Sequence, residues 1–334
     1  MKHLVIIGLV IPEPASTAAG HRMMQLIQLF SKADFKITFL TASNNIEFSE
    51  KIDIQKIEIN NESFDAKIRN LNPDVVLFDR YVTEEQFGWR VSENCPNALK
   101  IIDTEDLHFL REARRKAFFE KRIVRKEDLI NDIFVREIAA ILRCDLSLII
   151  SEFEYDLLVN EFKINPDLLF YIPFLTEKIE ESKTPFEDRK HFVSIGNFLH
   201  EPNWQTVLKL KQIWKLIKKR IPETELHIYG AYTSQKVLEL HNEKDGFLVK
   251  GRANSVEKIF NQAKVLLAPI PFGAGLKGKL WESMQFGLPN VTSTIGAEAM
   301  HKDLPWNGFI EDSDEVLVEK AIELYQDENL WKQS

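Results

Sequence analysis

Short apolar runs rich in Val, Ile and Leu recur along this chain, each followed by a segment of helical period. Runs such as LVIIG, DVVLFD and KVLLAP are apolar throughout rather than alternating, which is the signature of parallel strands covered by helices on both faces. The first half carries such runs at about 4–10, 36–41, 53–59, 75–79, 98–103 and 146–151. A second series starts after a polar stretch, at about 191–195, 225–229, 247–250, 265–269 and 290–293. The expected fold class is therefore α/β, with two Rossmann-like doubly wound domains facing across a cleft.

The restart of the βα alternation sets the boundary. With 334 residues the chain exceeds what one hydrophobic core usually organises. Pro173 and Pro185 bracket a charged segment with little periodicity. The expected division is an N-terminal domain over 1–172, a linker over 173–190, a C-terminal domain over 191–314 and a terminal helix over 315–334 that could pack back on the first domain. One helix shows the basis of the reading: Val207, Leu210, Trp214, Ile217 and Ile221 share a face at spacings of three and four, from Asn203 to the stop before Pro222. Asn203 suits the N-cap of that helix.

Composition excludes several classes. A net charge of -8 argues against a general nucleic-acid binder. Cys95 and Cys144 have no metal or disulfide spacing and read as buried thiols. The N-terminal apolar run is short and ends at Pro12 without a cleavage region, and no stretch of about 18 apolar residues occurs, so a cytoplasmic protein is expected.

The most informative segment is PIPFGAGLKGKLWESMQFGLPNVTSTIGAE, which follows an apolar strand. Gly273, Gly275 and Gly278 allow close backbone approach, while Lys277 and Lys279 add cations at a helix N-terminus, a site suited to a phosphate or pyrophosphate. Glu282, within the first turns, can accept hydrogen bonds from ribose hydroxyls. Gly287 and Pro289 end the helix. Gly273 to Lys279 also fits GxxxxGK, but Leu280 stands where a P-loop needs Ser or Thr, so an NTPase is disfavoured. The first strand is followed by no GxGxxG, which disfavours a dehydrogenase.

This segment, GAGLKGKLWESMQFGLPNVTS followed by GAE, resembles the donor-binding segment of the GT4 retaining glycosyltransferases of GT-B fold. FVSIGNFLHEPN, ELHIYGAY and VKGRAN resemble the strand ends that precede it, and IPEPASTAAGHR and IIDTEDLHFLREAR resemble acceptor-side loops of the first domain. The resemblance implies transfer of a sugar, of hexosyltransferase type and with retention, from a nucleotide-diphosphate sugar to a hydroxyl of a glycan, lipid-linked or protein-linked acceptor, in polysaccharide biosynthesis. It implies donor contacts from Gly196, Asn197, Gly230, Arg252, Gly273, Ala274, Gly275, Leu276, Lys277 and Glu282. Glu282 matches the second glutamate of the family's E-x7-E motif, whereas Ala274 replaces the first; Lys277 or Lys279, with Lys279 preferred, supplies the phosphate charge. His108 matches the active-site histidine, and Asp106 either orients it or meets the acceptor. Gly20 and Arg22 either approach the donor diphosphate or an anionic acceptor, or, for Arg22, lie on the helix surface. Asp79, Arg80, His200 and Asn203 sit at strand or helix ends of the same kind. No DxD-like metal motif is present, so no metal or other cofactor is expected.

Two alternatives stay open on the sequence: an NDP-sugar epimerase of the same architecture, and a non-catalytic nucleotide-binding homologue, to which Ala274 lends weight. A further feature lies outside these motifs. Arg111 to Lys126 carries eight Lys or Arg against two Glu, interleaved with Phe118, Phe119, Ile123 and Val124. It reads either as a salt-bridged exposed helix or as peripheral contact with an anionic membrane or a lipid-diphosphate acceptor.

Overall fold

The computed structural model describes residues 1–14, 16–44, 52–176 and 184–334. The middle of the expected linker, 177–183, and Ala15 of the IPEPASTAAGHR loop lie outside the described residues. The chain divides into two compact units, residues 1–14 with 19–175, and residues 176–334 with 15–18.

In the first unit the strands are β1 (His3–Gly8), β2 (Lys36–Thr41), β3 (Asp53–Lys56), β4 (Val75–Asp79), β5 (Leu99–Asp103), β6 (Leu146–Ile149) and β7 (Leu169–Tyr171). The helices are α1 (Ala18–Lys32), α2 (Ser63–Leu71), α3 (Tyr81–Asn94), α4 (His108–Phe119), α5 (Asp132–Arg143) and α6 (Glu152–Asp156). Among the described residues the sheet has the order β3-β2-β1-β4-β5-β6-β7, all parallel. Side-chain alternation along β1 shows why its run is wholly apolar. Val5 and Ile7 enter one core with Phe64, Phe78 and Phe87, while Leu4 and Ile6 enter the opposite core with Met23, Leu26 and Phe39. Cys95 and Cys144 are free and buried in the first of these cores, as their sequence context suggested.

The second unit contains β8 (Lys190–Ile195), β9 (Leu226–Tyr229), β10 (Phe247–Gly251), β11 (Ala263–Ala268), β12 (Asn290–Thr292) and β13 (Gly308–Ile310). Its helices are α7 (Glu201–Arg220), α8 (Gln235–Leu238), α9 (Val256–Gln262), α10 (Gly278–Gln285), α11 (Thr294–Ala297), α12 (Asp314–Gln326) and α13 (Glu328–Gln333). The sheet order is β10-β9-β8-β11-β12-β13, again parallel throughout. Helix α7 buries Val207, Leu210, Ile213, Trp214 and Ile217 as its spacing predicts, each contributing about 1.5–3 kcal/mol.

Three expectations change. Helix α7 begins at Glu201 with His200 as its N-cap, so Asn203 is inside the helix rather than capping it; Pro202 in the first turn is compatible with that earlier start. The three-residue strands β7 and β13 are too short to show a period in sequence. Residues 315–334, which the sequence left open to packing back on the first domain, group with the second unit. Leu317, Val318, Ala321, Ile322 and Leu324 complete the core beneath α7, and Trp331 Nε1 donates to the Lys264 carbonyl.

Candidate active site

Open parallel sheets bind ligands at the carboxyl ends of their strands, where the strand order reverses. In the second unit that switch point lies between β8 and β11, and the helices that follow these strands are α7 and α10. In their first turns Pro202 has no amide proton, and the Asn203 and Leu280 amides donate to the His200 and Lys277 carbonyls, so the amides of Glu201, Gly278 and Lys279 are the ones outside the helical bonding. Ser194, Gly196, Asn203, Thr206, Tyr229 and Lys279 line a narrow recess there.

Two glycines permit the recess. A Cβ on Gly196 would lie 2.7 Å from the Asn203 carboxamide carbon, and one on Gly230 would lie 2.3 Å from the Gly196 carbonyl oxygen and from the Phe198 ring. The Asn203 carboxamide therefore lies on the turn, donating from Nδ2 to the Asn197 carbonyl at 2.8 Å and accepting from Lys279 Nζ at 2.7 Å. Asn197 is buried, and its Oδ1 accepts the Leu199 amide. His200, the N-cap residue, makes no side-chain cap bond.

The loop between β11 and α10 supplies the other wall. Gly275 is in the left-handed region at φ 62°, a conformation that favours glycine. Lys277 Nζ is turned back onto its own loop, donating to the Ala274 and Gly275 carbonyls at 3.1 and 2.5 Å. Ala274 is buried, and Leu276 is half-buried. Leu280 sits in the core with Phe260 and Leu288, far in character from a metal ligand. Burial pushes the Lys279 ammonium down to about 8 despite the opposing effect of Glu282. Burial likewise raises the Glu282 carboxyl to about 7, against the pull of Lys279. Arg252 is exposed just beyond the Gly251 end of β10.

The first unit gathers a second set of groups at the ends of β4 and β5. His108 opens α4; its Nδ1 meets the Asp106 carbonyl at 3.0 Å and Glu137 Oε1 at 3.1 Å, with Asp106 Oδ1 at 3.5 Å. All three are acceptors, so Nδ1 carries the proton and Nε2 is the nitrogen left for a ligand. Tyr81 packs edge-on against the ring at 5.3 Å between centroids. Asp106 also holds Arg111 through both carboxylate oxygens, at 2.7 and 2.5 Å.

Sequence reasoning missed Glu137. It is fully buried on α5 and also accepts the Phe109 amide. Its signal was present: a carboxylate in the same helical stripe as Ile133, Phe134, Ala140 and Ile141 is out of place unless it has buried partners. Asp79 and Arg80 form an ion pair at 3.1 Å, with Asp79 buried beside its register neighbour Asp103.

Two expected site residues are otherwise engaged. Arg22 is 1% exposed, donates from Nε to both Asp103 oxygens at 2.9 and 3.0 Å and from Nη1 to the Ile172 carbonyl at 2.7 Å. It is neither on the helix surface nor turned to an acceptor; it ties α1 to the end of β5. The space beside Gly20 is filled by the Glu13 main chain, 2.5 Å from where a Cβ would be, so this glycine admits its own loop rather than a diphosphate.

Comparison with known proteins identifies the fold. Residues 189–327 match the model of the family described as glycosyl transferases group 1. No curated protein sequence matches the chain. A mutant of S. aureus TarM, solved with fondaparinux, alpha-GlcNAc-glycerol and UDP, is similar in structure with a TM-score of 0.75 at 11% identity, over 99% of this chain and 94% of that one. Sucrose-phosphate synthase from Thermosynechococcus elongatus gives 0.72 at 14%, over 99% and 91%. The pneumococcal O-GlcNAc transferase GtfA, in complex with UDP and GlcNAc, gives 0.70 at 14%, over 98% and 93%. The chain thus has the fold of the GT-B glycosyltransferases, and over residues 189–327 it matches the glycosyl transferases group 1 family.

Proposed function

We propose that this protein is a glycosyltransferase of the GT4 type that moves a sugar from a nucleoside-diphosphate donor to a hydroxyl acceptor. The observation that carries the reading is the meeting of α7 and α10 at the switch point, with Lys279 bridged to Asn203 and Glu282 one turn further on. A diphosphate placed there receives amides from two helix N-termini and one ammonium. Glu282, facing the same region, accepts the ribose hydroxyls. Leaving-group charge develops on that diphosphate as the glycosidic bond breaks, and Lys279 with the helix amides stabilises it without a metal. Lys277, bent onto its own loop, shapes the turn instead. Gly273 to Leu276 presents main-chain groups to the sugar in the place of the glutamate that Ala274 replaces.

On the first domain, His108 presents Nε2 to a substrate, with Glu137 and Asp106 fixing the ring. Retention is implied by the resemblance to GT4, and UDP is the first nucleotide to test because TarM and GtfA were both solved with it. The decisive experiment is a thermal-shift panel with UDP, GDP, ADP and CDP on wild type and a Lys279→Ala, Glu282→Ala double variant. Stabilisation of wild type by one nucleotide and not of the variant supports the site; stabilisation of neither overturns it. Binding without release of nucleoside diphosphate from any nucleotide sugar favours the non-catalytic homologue.

The basic segment supports a second part of this reading, in which the enzyme works at an anionic membrane surface. Ile123 is 83% exposed, Phe119 and Val124 are also exposed, and Lys116 in the last turn of α4 and Lys121 and Arg125 beyond it flank them. Arg111, Arg115, Arg122 and Lys126 are paired with Asp106, Glu112, Asp128 and Glu161. The attraction therefore rests on the smaller group of cations around the apolar tip. No helix among the described residues is long and apolar enough to cross a membrane.

A further inference from the structure

Helix α5 is turned with a carboxylate inward and part of its apolar surface outward. Glu137, Ala140 and Ile141 are buried, whereas Val135 is 63% and Leu142 56% exposed. Ile138 and Ala139, both half-buried, stand between them. At spacings of three and four these residues form one stripe along the helix. A single exposed leucine is ordinary on a protein surface, but a continuous apolar stripe on a helix already packed against α3 and α4 marks a contact surface.

The charges beside the stripe select its occupant. Arg136 forks onto Glu85 and Arg143 onto Glu84, both carboxylates of α3. Asp132, exposed in the first turn, forms no ion pair among the described residues. The cations of α5 are thus already neutralised and the balance of the stripe is slightly negative. An anionic membrane is repelled by such a surface, whereas an apolar strip rimmed by paired charges suits another protein surface.

The pattern is also complementary to itself. Successive residues of an α-helix turn by about 100°, which places Asp132 and Arg143 on the same flank of the stripe, at its two ends. With two copies of α5 antiparallel about a twofold axis, Val135 meets the partner's Leu142, Ile138 meets the partner's Ala139 and Asp132 meets the partner's Arg143. Arg143 gives Nε and Nη2 to Glu84, which leaves Nη1 for that contact. The small Ala139 side chain at the centre lets the two axes approach closely.

We infer that this protein forms a symmetric dimer through antiparallel α5 helices, the apolar stripe of each copy covering that of the other. One helix face is smaller than the ~800 Å² per partner of a stable interface, so the dimer is weak and depends on concentration.

Sedimentation equilibrium of the full chain, from low micromolar to millimolar concentration, tests this. Wild type should pass from monomer to dimer over that range. Leu142→Glu sets a carboxylate within the apolar contact and should remain monomeric. Asp132→Lys opposes the partner's Arg143 with a like charge and should weaken association by about 10-fold or more. Both positions are exposed, and unchanged thermal melts verify that the fold is kept. Ala139→Cys provides a second measurement, because a residue beside the twofold axis faces its own copy, and mild oxidation should link two chains through position 139. Cys95 and Cys144 are buried, so wild type should stay unlinked. Wild type that remains monomeric throughout, with Ala139→Cys unlinked, overturns the dimer, as does a Leu142→Glu variant that associates like wild type. If wild type floats with phosphatidylglycerol vesicles and Leu142→Glu does not, both being monomers in solution, the stripe meets lipid and the dimer is likewise overturned.

Discussion

Lys279 Nζ donates to Asn203 Oδ1 across 2.7 Å, joining the first turn of α10 to the first turn of α7. These two residues are 76 positions apart in the chain, and their contact fixes the spacing of the two helix ends that would share a diphosphate.

Removing the ammonium tests this directly. A charge-assisted bond to phosphate contributes about 1.5–3 kcal/mol, so Lys279→Ala should weaken nucleoside-diphosphate affinity by about 10- to 100-fold. Asn203→Ala should have a smaller effect, because the lysine keeps its charge and loses only its tether. Isothermal titration on both variants checks the order; equal effects would mean that Asn203 itself holds the ligand.

The pH dependence of binding follows from two burial effects. Lys279, held down to about 8, is a cation below that pH; Glu282, pushed up to about 7, is a carboxylate above that one. The diphosphate favours the cation and the ribose hydroxyls favour the carboxylate. Affinity should therefore peak between about pH 7 and 8 and fall on either side. Lys279→Ala should remove the alkaline fall, and Glu282→Gln the acidic one. An affinity flat from pH 6 to 9 would show that neither charge contributes.

Much of this arrangement was legible because it is local. The glycine loop, its lysines and the helix that follows them lie in one continuous segment, and the apolar runs state their strands by composition alone. What was not legible depends on partners far along the chain. Arg22 looks free at the start of a helix and is in fact consumed by Asp103, 81 residues away. Glu137 reads as one charge in an amphipathic helix until the fold brings it to His108. Lys279 was preferred over Lys277 from the sequence, but that Lys277 braces its own turn while Lys279 reaches across to Asn203 is visible only in three dimensions.

At the membrane, the exposed tip around Ile123 should give binding that depends on lipid charge. Flotation with phosphatidylglycerol vesicles should carry the protein upward, and phosphatidylcholine vesicles should not. Ile123→Ser should reduce the effect by removing apolar insertion, and added salt should reduce it by screening Lys116, Lys121 and Arg125. Equal behaviour with both lipids would reduce the segment to an exposed helix end laced by ion pairs.

The Arg22–Asp103 pair makes a separate prediction about stability. Both side chains are almost fully buried, and the guanidinium also satisfies the Ile172 carbonyl at the end of β7. Arg22→Met would leave the Asp103 carboxylate buried without its partner, a loss of about 3–5 kcal/mol. Adding Asp103→Asn removes the stranded charge and should restore part of that stability. A chemical-denaturation cycle over the two singles and the double measures the coupling. If Arg22→Met instead left stability intact and weakened only turnover, the arginine would have to face substrate, and the buried placement would be wrong.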